Sequence, residues 1–267
     1  MSGKVTTAVF QEMKARGEKI TMLTAYDYLT AAIIDAAGID SLLVGDTLAM
    51  VVAGHETTLP ITLENMLYHT EIVARAARRA LVVGDLPFMS YQVSPGQALV
   101  SAGRMMKEGR AHAVKLEGGR RMVPTIKRIV GAGIPVMGHI GLTPQSVFKF
   151  GGYKLQGATP VEAERILESA LALEKAGCFA LVLEKIPQQL ARKVSQALSI
   201  PTVGIGAGPH CDGQVLVLHD MLGIFEKFHP KFVKVYAQVG PAMRDAFARY
   251  REEVKGGAFP GPEHSYD

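Results

Sequence analysis

Short β-branched and apolar runs recur along this chain, and several stop on one charged residue followed by a turn. LLVGD ends at Asp46, LVVGD at Asp85, VKLE at Glu117, PVMGH at His139 and LVLE at Glu184. A buried strand does not finish on a charge unless that charge has a partner or a task, because an isolated buried ion is costly. Strands that repeatedly end this way direct their ends to one site. That arrangement belongs to enzymes built on a parallel β/α scaffold, whose chemistry sits at the C-terminal edge of the strands.

The spacing supports the same scaffold. Eight strand candidates follow a short leading helix at Thr6–Arg16. They are Ile20–Thr24, Ser41–Gly45, Leu81–Gly84, Ala113–Glu117, Pro135–His139, Ala180–Glu184, Thr202–Ile205 and Gln214–Leu218. Most are separated by segments of helical periodicity, giving units near the ~30 residues of a β-α-β step. Their continuous apolar character suits strands covered on both faces. Ser94-Pro95-Gly96-Gln97 and Thr159-Pro160-Val161-Glu162 each offer an N-cap hydroxyl, a first-turn proline and a capping-box partner. Gly38, Gly109, Gly133 and Gly177 mark helix ends. Pro230–Tyr250 is expected to form one or two helices, and residues 256–267 an irregular tail. We expect one domain, a (β/α)₈ barrel. A doubly wound open sheet is the alternative, since periodicity does not show closure.

The 267 residues are 48 % hydrophobic and 20 % charged, which suits a globular domain. The net charge of +4 is scattered, with no basic block, so nucleic acid is not an expected partner. Cys178 and Cys211 form no Cys-x-x-Cys motif, and so few thiols suit a reducing compartment. Residues 1–19 lack the apolar stretch of a signal peptide, and no apolar run has transmembrane length. A cytoplasmic location is expected. Asn65 is the sole asparagine, a hint of a thermophilic source.

Alternation along a strand puts Lys115 and Glu117 on one side, so a lumenal Glu117 implies a lumenal Lys115 one layer deeper. Three acids without neighbouring cysteines, Asp46, Asp85 and Glu117, suit a hard cation such as Mg²⁺, which leaves positions open for substrate oxygens. Each residue alone has a plainer explanation. Asp46 or Asp85 could cap the following turn, His139 could be a satisfied core histidine, and Lys115 could merely neutralise Glu117. The coincidence of all of them on one rim favours a site. Gly204–Gly208 (GIGAG) is either a phosphate cradle or a tight turn. Tyr26-Asp27 suits substrate or structure equally. Met50, Met66, Met89, Met105 and Met106 are expected to pack.

The chain resembles the ketopantoate hydroxymethyltransferase family nearly end to end. The matching stretches include TAYD (24–27), VGDTLAM (44–50), DLPFMSY (85–91), VKLEGG (114–119), GHIGLTPQ (138–145), GGYKLQG (151–157), LEKIP (183–187) and CDGQVLVLHD (211–220). Thr47 stands where the family more often has Ser, and Ala49 where it often has Gly. The resemblance implies a barrel of the phosphoenolpyruvate/pyruvate type, a homodecamer and Mg²⁺. It implies transfer of a one-carbon unit from 5,10-methylenetetrahydrofolate to 3-methyl-2-oxobutanoate. It carries metal and substrate roles onto Asp46, Asp85 and Glu117, substrate binding onto Thr47 and Lys115, and proton abstraction onto Glu184. His139 is a further expected substrate contact. An apolar setting would raise the pKa of Glu184 toward that of a working base. Three other functions fit the residues: a Schiff-base aldolase using Lys115, a metal-dependent C–C lyase, and a non-catalytic anion-binding scaffold.

Overall fold

The computed structural model describes residues 3–225 and 230–266. They fall into two compact units, residues 1–216 and 217–267.

The first unit is a closed barrel of eight parallel strands in sequence order. The strands are β1 (Ile20–Thr24), β2 (Ser41–Val44), β3 (Leu81–Asp85), β4 (Ala113–Glu117), β5 (Val136–Gly141), β6 (Ala180–Glu184), β7 (Thr202–Ile205) and β8 (Gly213–Leu216). Pairing of β1 with β8 closes the ring and excludes the open sheet. The helices are α1 (Thr7–Arg16), α2 (Tyr28–Ala36), α3 (Leu48–Val51), α4 (Leu63–Ala76), α5 (Pro95–Lys107), α6 (Val123–Val130), α7 (Val147–Phe150), α8 (Pro160–Lys175) and α9 (Gln188–Ala197). No helix separates β7 from β8. Gly204 and Ile205 of the GIGAG segment end β7, and Gly206–Gly208 bend away from it. Gly206 and Gly208 have φ of +63° and +78°, and a Cβ on Gly208 would meet Gln188 Cβ at 2.4 Å. Only glycine fits such a close approach at positive φ.

The period-two alternation of the strands sorts their side chains. Ile20, Met22, Leu43, Val83, Ala113, Met137, Ala180, Val182, Val203 and Val215 form one buried apolar cluster. Complete burial of such a Val, Met or Ile contributes about 1.5–3 kcal/mol. Val5, Phe10 and Met13, from α1 and its approach, join the same cluster. Phe10 packs on Phe179, just before β6, at 6.1 Å between ring centroids. The helix therefore plugs the N-terminal end of the barrel and leaves the C-terminal end for chemistry.

Two steps further along the strands, the same parity delivers Asp85, Lys115, Glu117, His139 and Glu184. Register puts Asp85 beside Lys115, and Glu117 beside His139. The glycine in LLVGD has a related role: Gly45 lies just past β2, and a Cβ there would sit 3.1 Å from Thr47 Oγ1 and 3.5 Å from Asp85 Oδ2. Its bare backbone leaves room for the rim side chains.

Several details differ from the sequence-based expectation. The β2 ladder stops at Val44, and β5 runs on to Gly141. The capping box at Thr159–Glu162 is complete, but at Ser94 only the hydroxyl cap forms, because the Gln97 amide donates to Met89 O at 3.0 Å instead. Met66 and Met105 are fully buried, whereas Met89 is 49 % exposed at φ +64° and packs no core.

The second unit holds α10 (Leu218–Met221) and α11 (Val239–Gly256). The long helix starts at Val239, nine residues later than the expected Pro230. Residues 230–238 form turn and irregular backbone instead, with Tyr236 N–H donating to Met221 O at 2.7 Å. Among the described residues no helix is long and apolar enough to cross a membrane.

Candidate active site

The site is built from strand ends and the turns that follow them. Asp46 leaves β2 in a turn whose backbone N–H donates to Asp85 Oδ2 at 3.2 Å. The Asp46 side chain does not cap α3, whose N-cap is Thr47. Asp85 ends β3, and the Lys115 ammonium lies 2.5 Å from its Oδ1. Lys115 thus neutralises Asp85 first, not Glu117. Both partners are almost fully buried. Burial alone would lower the lysine pKa, but Asp85, Glu117 and Asp46 together outweigh it and raise it. A protonated, pinned ammonium is a poor Schiff-base nucleophile.

His139 on β5 lies between two carboxylates. Its Nδ1 is 3.4 Å from Glu117 Oε1, and its Nε2 is 3.2 Å from Glu184 Oε2. Burial and Lys115 push its pKa down, yet the pull of the two neighbouring glutamates prevails and holds it up at about 9. The imidazolium therefore joins the acid cluster to Glu184. The apolar setting expected around Glu184 is absent: its side chain is 17 % exposed and faces a charged imidazole.

Asp46 shows how crowded the acids are. Burial, then the charges of Asp85 and Glu117, push its carboxyl up to about 8, against the opposing effects of Lys115 and a hydrogen bond from Gln145. Asp85 Oδ1 and Glu117 Oε1 are buried without an aligned hydrogen-bond donor. Buried carboxylate oxygens met only by one lysine and one histidine, beside a third carboxyl pushed toward its neutral form, fit a hard divalent cation. No three His, Cys, Asp or Glu side chains among the described residues converge as a complete ligand set. Mg²⁺ tolerates this, because it commonly keeps several waters and takes only one or two carboxylates directly.

Two residues not singled out from the sequence organise the cluster. Gln145, in the turn after β5, donates from its side chain to Asp46 Oδ2 at 2.9 Å and Leu86 O at 3.0 Å. Its backbone N–H donates to Glu117 Oε2 at 3.0 Å. Its amide oxygen accepts from the Tyr91 hydroxyl at 2.7 Å. Tyr91 also accepts the Glu117 backbone N–H at 3.1 Å. Both residues lie in the quoted GHIGLTPQ and DLPFMSY motifs, which were the available signal. The Tyr26-Asp27 pair divides its work. Asp27 caps α2 through Thr30, while buried Tyr26 places its hydroxyl 2.6 Å from Thr47 Oγ1.

Every rim residue expected from the sequence is therefore gathered at one end of the barrel, directly or through one intermediary. Comparisons with known proteins show the family. The family model described as ketopantoate hydroxymethyltransferase matches residues 4–262. A protein of Syntrophus aciditrophicus (strain SB) is 56 % identical, over 98 % of this chain and 97 % of its own. One from Moorella thermoacetica is 56 % identical over 98 % of both. Each is named 3-methyl-2-oxobutanoate hydroxymethyltransferase. Among solved structures, 2,3-dimethylmalate lyase, a PEP mutase/isocitrate lyase superfamily member, matches with TM-score 0.63 at 19 % identity, covering 98 % of this chain and 88 % of that one. A phosphonopyruvate hydrolase complex with oxalate and Mg²⁺ matches with TM-score 0.66 at 14 % identity, covering 97 % and 92 %. These distant likenesses establish the barrel fold alone. The full-length relatives and the family model establish more: the chain belongs to the ketopantoate hydroxymethyltransferase family.

Proposed function

We propose that this enzyme transfers a hydroxymethyl group from 5,10-methylenetetrahydrofolate to 3-methyl-2-oxobutanoate in a Mg²⁺-dependent reaction that gives 2-dehydropantoate. The observation that carries the reading is the placement of Glu184, joined through His139 to the buried acid cluster. Asp46, Asp85 and Glu117 would hold Mg²⁺, in part through water, and the ion would supply Lewis acidity toward the oxygens of the 2-oxo acid.

The protein groups act around that centre. Glu184 takes the C3 proton as general base, and the C3–H electron pair passes into the enolate. His139, 3.2 Å away, orients Glu184 for that step. Lys115, fixed on Asp85, offsets the negative charge that grows on the substrate. If the Tyr26 hydroxyl donates to Thr47, the Thr47 proton is free to bind the substrate carboxylate. Water's oxygen bonds to the methylene carbon as its two C–N electron pairs return to the folate nitrogens, which take water's two protons and leave as tetrahydrofolate. C3 attacks that aldehyde-level carbon, and its oxygen takes the proton held by Glu184 to become the product hydroxyl. We further propose a homodecamer working in the cytoplasm.

The test uses the purified enzyme and keto acid in deuterated water. C3 exchange should appear without folate, vanish on chelation and return with Mg²⁺. Product should form only when methylenetetrahydrofolate is added. Exchange that survives chelation would refute the metal role, and product formed without a pterin would refute the donor.

A further inference from the structure

The end of the barrel away from the chemistry carries a separate cavity of about 430 Å³. It lies between the approach to α1, the link from α4 to β3 and the start of β4. Val5, Leu81 and Met106 give it an apolar wall. Lys4, Arg78, Arg79 and His112 also line it, and no acid does. Arg79 is already matched, since its guanidinium meets Asp40 at 2.7 Å. Among the described residues, the Lys4 ammonium and the Arg78 guanidinium have no acid within ion-pair distance. Arg78 commits only its backbone N–H, to Asp35 Oδ2 at 3.1 Å.

His112 is fixed into this wall by β3. Its backbone N–H donates to Val82 O at 2.9 Å, and its Nδ1 accepts the Val82 N–H at 3.1 Å. Partial burial, then the charge of Lys4, holds its pKa below the usual histidine value, so the ring is neutral at pH 7. With Nδ1 used as an acceptor, the ring hydrogen sits on Nε2. That N–H has no acceptor among the described residues.

Two unmatched cations and one fixed N–H donor beside apolar surface suit an anion with a compact apolar body. A phosphate monoester carries roughly two negative charges near pH 7 and presents three acceptor oxygens, so it answers all three groups where a carboxylate does not. We propose that this cavity at the N-terminal end of the barrel binds a small organic phosphate, with its phosphoryl group on Lys4, Arg78 and His112 and its apolar body against Val5, Leu81 and Met106. The site is distinct from the acid cluster: β3 and β4 begin beside it and reach Asp85, Lys115 and Glu117 only further along. Its ligand therefore does not compete with the 2-oxo acid. Exposed ion pairs are individually weak, so the affinity is cumulative and depends on salt.

The experiment is calorimetry on the full chain at low salt, with Mg²⁺ and 3-methyl-2-oxobutanoate in excess so that the acid cluster is filled. Phenyl phosphate should bind saturably, about tenfold tighter than inorganic phosphate or benzoate, and high salt should weaken it. Lys4→Glu/Arg78→Glu should weaken it by about tenfold or more. Both side chains are exposed and unpaired, so the fold is not at stake. His112→Asn keeps an acceptor for the Val82 N–H and loses the Nε2 donor, so it should weaken binding by about three- to tenfold with Tm near that of the wild type. No saturable binding of phenyl phosphate, equal affinity for either comparison anion, or binding unchanged in either variant overturns the proposal.

Discussion

The two ends of the barrel lumen obey the same geometry and different energetics. Toward the N-terminal end, alternate positions on β1–β8 carry Met22, Leu43, Val83, Met137, Val182 and Val203, sealed below by Phe10 of α1. Toward the C-terminal end, the next positions of the same alternation carry Asp85, Lys115, Glu117, His139 and Glu184. The lower layers stabilise the barrel by removing apolar surface from water. The upper layer gathers acids whose mutual repulsion is only partly offset by one lysine and one histidine. The contrast shows that the barrel keeps its stability below and carries destabilising charge above, as functional sites often do.

Removing the cation of the upper layer should cost most. Lys115→Met leaves Asp85 and its neighbours as buried, uncompensated charge, and the expected loss is about 3–5 kcal/mol at neutral pH by urea unfolding. The loss should shrink in acid as the carboxyls protonate. A loss below ~1 kcal/mol at neutral pH would mean that the rim is not held by that pair. Met137→Ala, one layer below His139, should cost about 2–5 kcal/mol by opening a cavity, with that loss nearly constant across pH.

The next effect is in the slope of stability against pH, measured with the ion chelated away. His139 is raised from 6.5 to about 9, so its contribution is complete below pH 6.5 and disappears as pH climbs through 9. Asp46 is raised from 3.8 to about 8, so between those values the folded state holds a proton that the unfolded chain has released, and stability falls as pH rises. Both groups act in one direction between pH 6.5 and 8, and Tm should fall there. Asp46→Asn should flatten the part below pH 8, and His139→Gln the part between pH 6.5 and 9. Mg²⁺ should raise Tm more at pH 8 than at pH 5. A flat profile in the wild type would contradict the crowding of the rim.

Thr47→Ser should have the smallest effect. It keeps the hydroxyl that meets Tyr26 at 2.6 Å and removes one methyl group. One methyl group is worth about 0.8 kcal/mol, so kcat/KM should change by less than about fivefold.

The parts of this arrangement that could be read from the sequence are those with local signals. Strand ends such as Asp85, Glu117 and His139 stood out because a charge closing an apolar run is visible within five or six residues. The alternation that joins Lys115 to Glu117 is equally local. Gln145 and Tyr91 were legible only as members of matching motifs, because an amide or phenol in a polar turn looks like any solvated loop. Only the closed ring brings Gln145 onto Asp46, 99 residues earlier. The setting of Glu184 was missed for a similar reason: its neighbour is His139 of the adjacent strand, not the apolar residues beside it in sequence. The helical tail expected from Pro230 starts only at Val239, after turn and irregular backbone.

The most direct test of the central claim, that Glu184 works as the base against the acid cluster, is C3 deuterium exchange of 3-methyl-2-oxobutanoate in Glu184→Gln with Mg²⁺ present. The amide keeps the size of the side chain but accepts no proton. Exchange should fall by about 10²–10⁴-fold, with Tm near that of the wild type. Exchange at the wild-type rate would contradict the account.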